Sequence, residues 1–147
     1  MAIIQTLTTS FKTELMDALH NFGTTVTRAN TLPDTFKIAL YTINASLGAD
    51  TTVYTPVNEA SGGSYVAGGR VLVSSQAPTA TGTVAWTNFA DISWTGSITA
   101  AGALIYNATQ SNRAVAVLSF GGTKTSKNTF TVKFPASTST SAIVRIS

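Results

Sequence analysis

The feature that most constrains this chain is a change of period. Over residues 10–22, Phe11, Leu15, Ala18, Leu19 and Phe22 recur at spacings of three and four, the repeat that lines one face of a helix. Thr9 or Ser10 can cap its start and Gly23 can end it. After Leu32-Pro33-Asp34 the repeat falls to two: Phe36, Ile38 and Leu40 point one way, Lys37, Ala39 and Tyr41 the other. Similar runs follow at 65–67 with 70–74, and at 84–89, 92–98, 102–107, 114–120, 128–134 and 142–146. Together with the first run they predict about eight strands and one helix, with no alternating helices to build a parallel sheet. The expected fold is mainly β, an antiparallel sandwich, jelly roll or small barrel with one N-terminal helix. The 26 threonines and 15 serines suit half-buried pleated surfaces.

Residues 1–9 hold Ile3, Ile4 and Leu7, too few apolar positions for an element of their own, and are expected to form an arm whose apolar residues dock on a partner chain. Residues 10–147 then make a single β-domain. The connection 44–63 is long enough to protrude, with a small strand at Val53-Tyr54. The pairs Gly62-Gly63 and Gly68-Gly69 match no phosphate-binding pattern and predict turns or bulges where backbones approach closely.

Nothing in the chain assembles into chemistry. With no cysteine, a disulfide framework, a thiolate zinc site and a cysteine nucleophile are excluded. The only histidine, His20, has no second ligand at helical spacing and reads as a surface or helix-end residue. Glu14 and Asp17 read as a solvated helix face, although Asp50, Glu59 and Asp91 could in principle meet in space. Trp86, Phe89 and Trp94 alternate with polar residues, the spacing of core positions more than of a sugar-stacking platform. No catalytic residue, metal or cofactor is expected.

Charge is unevenly placed. Every acid lies at or before Asp91, where six acids and four bases give −2; beyond it Arg113, Lys124, Lys127, Lys133 and Arg145 give +5. These bases do not cluster with stacking aromatics, so a protein contact is expected ahead of nucleic acid, with 121–127 as an exposed hairpin tip bearing Lys124 and Lys127. The opening residues lack a signal-peptide pattern, and no stretch approaches a membrane span, so the chain reads as made in the cytoplasm with no membrane partner.

Five stretches taken in order give the chain a resemblance. They are Phe11-Lys-Thr-Glu-Leu-Met-Asp-Ala-Leu-His-Asn-Phe22, Asp34-Thr-Phe-Lys-Ile-Ala-Leu-Tyr-Thr42, Gly62-Gly-Ser-Tyr-Val-Ala-Gly-Gly-Arg-Val-Leu72, Ile98-Thr-Ala-Ala-Gly-Ala-Leu-Ile-Tyr-Asn107 and Ala114-Val-Ala-Val-Leu-Ser-Phe-Gly-Gly122. The order resembles a group of small structural proteins of tailed-bacteriophage virions. The resemblance implies a non-enzymatic particle component, first a capsid decoration or cement protein that binds the major capsid protein as a homo-oligomer, with Arg113, Lys124 and Lys127 facing acidic capsid surface. Two other expectations stand beside it: a receptor- or glycan-binding module of a head or tail fibre, with Trp86 and Trp94 on the sugar, and a tail or neck connector.

Overall fold

The computed structural model describes residues 2–16, 18–24 and 32–147. In chain order the elements are β1 (Thr6–Leu7), α1 (Thr9–Met16), β2 (Phe36–Tyr41), β3 (Arg70–Val71), β4 (Ser74–Thr81), β5 (Val84–Phe89), β6 (Ile92–Thr95), β7 (Thr99–Asn107), β8 (Arg113–Thr125), β9 (Thr129–Val132) and β10 (Val144–Ile146). The fold is mainly β, with antiparallel sheets and one N-terminal helix, as the change of period predicts. A five-stranded sheet runs β1-β8-β7-β2-β3, a three-stranded sheet β10-β5-β4, and β6 pairs with β9.

Both faces of the five-stranded sheet are covered. On one, Phe36, Ile38 and Leu40 of β2 join Ile105, Val115, Phe89 and Trp94 in the larger core. On the other, Ala39, Tyr41, Leu104, Tyr106 and Val117 pack against Ala45 and Leu47 of the long 42–69 connection. A strand buried on both sides has no reason to alternate, and β7 is buried at every position after Thr99.

β6 to β9 form one continuous ribbon. Ile92↔Val132 through Thr95↔Thr129 continue in unchanged register into Thr99↔Thr125 and Ala100↔Lys124. Backbone bonds from Gly96 N to Asn128 O (2.6 Å) and from Ser126 N to Ile98 O (2.9 Å) span the junction. Register then shifts between Ala100↔Lys124 and Gly102↔Ser119, a bulge on β8 that contains Gly121 and Gly122 at φ 72° and 131°. A bulge lets one strand turn from one sheet into another.

Four expectations change here. The helix ends at Met16, where 10–22 was expected, because Ala18 takes φ 56° and the chain leaves the helical path. His20 and Phe22 are drawn instead into an aromatic group with Phe11, Phe36 and Phe89, in which the Phe22 and Phe36 rings stack at 4.2 Å. Asp17 lies outside the described residues, whereas Glu14, expected in solvent, is buried. The 1–9 segment lies on the chain's own sheet: Thr6↔Val117 and Leu7↔Ala116 pair, Ile3 bridges Leu47, and Ile3 packs over Gly102. Its apolar residues therefore have partners within the chain, Ile4 excepted, which is 62% exposed. Finally, residues 121–127 are not a hairpin tip: β8 runs on to Thr125, and the chain bends at 126–128.

Candidate functional site

Two polar clusters and one basic cleft hold the side chains that could carry function. The first cluster is buried beneath α1. His20 Nε2 donates to Glu14 Oε2 at 2.7 Å, while Arg113 Nη1 donates to Glu14 Oε1 at 2.7 Å. The Asn107 amide Nδ2 donates to His20 Nδ1 (3.0 Å) and to Asp34 Oδ2 (2.7 Å). Asn107 Oδ1 is fixed in turn by the amides of Thr109 and Gln110, which orients its NH2 toward the ring. This arrangement places the imidazole proton on Nε2. Every member holds another, so the cluster ties α1, the 107–113 turn and the segment before β2 together. His20 is therefore a buried structural residue, not the surface residue that the sequence suggests. Arg113, expected to face a partner, is committed to Glu14.

The second cluster gathers all four tyrosines of the chain around one carboxylate. Glu59 accepts from Tyr54 Oη (2.7 Å), Tyr65 Oη (2.5 Å) and the Gly68 amide (2.7 Å). Tyr65 Oη also accepts from the Leu40 amide, Tyr41 donates to Thr55 O, and Tyr106 donates to Gly68 O. The long connection is thereby pinned to β2 and β7. Burial foremost, then the Glu59 charge, pushes Tyr106 up to about 12 and holds Tyr54 and Tyr65 still further above the ordinary phenol value; burial does the same for Tyr41.

A pH dependence follows. A phenol whose pKa is higher folded than unfolded stabilises the fold fully below the unfolded value near pH 10, and that stabilisation is lost as pH rises toward the folded value. Loss of near-ultraviolet circular dichroism and the rise of phenolate absorbance should therefore coincide in one transition above pH 10. Gradual ionisation near pH 10 with intact dichroism would contradict the cluster's role.

The third feature is a cleft of about 380 Å³ along β8 and β9, lined by Phe120, Phe130, Lys124 and Lys133 among others. The Phe120 and Phe130 rings lie 5.9 Å apart, and Lys124 and Lys133 are exposed along it, with Lys127 exposed at the bend between β8 and β9. Of the expected contact residues, the structure brings Lys124 and Lys127 to one region; Arg113 lies elsewhere in the first cluster, and Ile3, Ile4 and Leu7 lie at the β1 edge. Lys133, which was not among the expected contact residues, lines the same cleft; a lone lysine in an alternating strand carries no signal of what its edge faces.

Among the described residues no three His, Cys, Asp or Glu side chains come together as a metal site, and no helix is long and apolar enough to cross a membrane. Asp91 caps the Phe134 amide at 2.8 Å, far in role from the Glu59 cluster. Trp86 and Trp94 are buried, 9% and 1% exposed, so neither offers the open ring that sugar stacking needs. The glycine pairs behave as predicted: Gly62, Gly63, Gly68 and Gly69 all take positive φ, and Gly62, Gly63 and Gly69 lie against neighbouring backbone. No family model, curated protein or solved structure matches this chain.

Proposed function

We propose that the protein is a non-enzymatic structural component of a tailed-bacteriophage virion, a decoration or cement protein that binds the major capsid lattice as a homo-oligomer. The observation that carries the reading is where the charge is spent. Glu14, Asp34, Glu59 and Asp91 all accept hydrogen bonds from the chain itself. Lys124, Lys127 and Lys133 stand exposed around the bent end of the ribbon, and none of them has an ion-pair partner among the described residues. Four of the carboxylates thus hold the fold, Asp50 stands exposed in the long connection, and the end of the ribbon presents a basic surface suited to steering onto an acidic one. The ordered resemblance across residues 11–122 supplies the particle.

Quantifying the protein in purified particles tests this. A decoration protein is present in numbers comparable with the major capsid protein, and stripping it lowers the temperature at which the shell ruptures. A few copies per particle, or rupture unchanged by its removal, would overturn the reading and favour a neck or tail connector.

A further inference from the structure

We propose that the open edge of β9 binds an extended acidic segment of a partner protein by strand addition. The inference rests on the reading of the basic surface as a contact surface and names how that contact is made.

The edge is available. β9 pairs with β6 on one side and with no other strand among the described residues. β8 beyond Ser119 likewise pairs only with β7, since β1 covers it only at Ala116 and Val117. The bend at 126–128 brings both stretches to the same cleft. An unpaired edge presents a row of backbone donors and acceptors that an extended chain can satisfy.

Charge selects the occupant. Lysines along an edge oppose pairing with a like edge, because two copies would set Lys124, Lys127 and Lys133 against the same residues of the other. An acidic segment reverses the sign of that interaction. The nearest acidic side chain in sequence, Asp91, accepts from the Phe134 amide. The pattern along β9 sets the side-chain order: Thr129 and Thr131 are exposed, Phe130 and Val132 buried, and Lys133 continues the exposed face. Paired residues on neighbouring strands share a face, so the complementary segment alternates acidic residues beside Thr131 and Lys133 with apolar residues beside Phe130 and Val132.

The test uses the intact protein and a fluorescein-labelled ten-residue peptide of alternating glutamate and valine, read by anisotropy. Saturable binding is expected, weakened by salt and lowered about tenfold or more in the double variant K124E/K133E. The two lysines are exposed, and circular dichroism verifies that the variant folds. A peptide of the same sequence N-methylated at alternate residues should lose binding, because its backbone can no longer donate to the edge. The proposal is overturned if the glutamate–valine peptide does not bind, if N-methylation leaves its affinity unchanged, or if an oligothymidylate of equal length binds as tightly. Failure of the peptide with particles carrying lattice-scale copies removes only the strand-addition mode. Few copies with peptide binding intact removes only the capsid reading.

Discussion

Gly69→Ala is expected to lower the melting temperature of the protein far below that of Gly82→Ala. Gly69 has φ 70°, and a Cβ placed on it would overlap the Ile38 carbonyl oxygen and crowd the Ala39 backbone. The left-handed conformation alone costs a side chain about 1–2 kcal/mol. The overlap cannot be relieved by rotating a side chain, because its partner is the backbone of β2, a strand buried on both faces. Separating β3 from β2 would relieve it only by breaking Lys37↔Val71 and Ile38↔Arg70. The sum passes about 4 kcal/mol, against a whole-domain stability of about 5–15 kcal/mol. Gly82→Ala is the control: its φ is 61°, but no atom lies within 4 Å of the added carbon, so it carries the conformational cost alone. Thermal unfolding of the two variants decides the matter, and a Gly69→Ala protein that melts no lower than Gly82→Ala would refute the backbone contact.

The second large effect is expected at Glu14. Its side chain is 8% exposed, that of His20 0% and that of Arg113 42%. Glu14→Ala strands a buried imidazole N–H and removes the one acid paired with Arg113 among the described residues, and breaking a buried pair in this way costs about 3 kcal/mol or more. Arg113→Met should cost less, since the guanidinium is partly in water and the carboxylate keeps its His20 donor. Urea unfolding of both variants should therefore show a clear asymmetry. Equal losses, or a Glu14→Ala loss below that of Arg113→Met, would mean that the His20 contact contributes little.

Strands that carry an apolar run between turn residues were legible, and those whose logic lies in tertiary partners were not. The run 84–89 has the bounds of β5, because Val84 and Trp86 alternate with Ala85 and Thr87 between polar turns. β4 was missed: Ser-Ser-Gln-Ala-Pro-Thr-Ala-Thr carries no apolar face, and Pro78 argues against a central strand. The strand tolerates proline because it lies at a sheet edge, with register shifting between Gln76↔Asn88 and Thr79↔Trp86. The helix was over-extended for the converse reason: Leu19 and Phe22 keep helical spacing, but Phe22 satisfies its hydrophobicity by stacking on Phe36 outside any helix. The polar clusters left no local trace. Glu14 meets Arg113 across 99 positions and Asn107 meets Asp34 across 73, distances over which no periodicity speaks. Of the basic surface, the sequence told the sign of the charge and its residues Lys124 and Lys127; the open edge beneath them needed the strand order.

The pairing of Thr6 with Val117 and Leu7 with Ala116 has a kinetic consequence. Closing a loop of more than 100 residues must precede any gain from those contacts, which places this fold among slow, high-contact-order folders. During synthesis Ile3 waits for Gly102 of β7 and Leu7 for β8 to leave the ribosome, so both stay uncovered while β2 and the long connection emerge. Folding of the five-stranded sheet is thus completed late, and the interval is one in which a chaperone or a neighbouring nascent chain competes for the same two side chains.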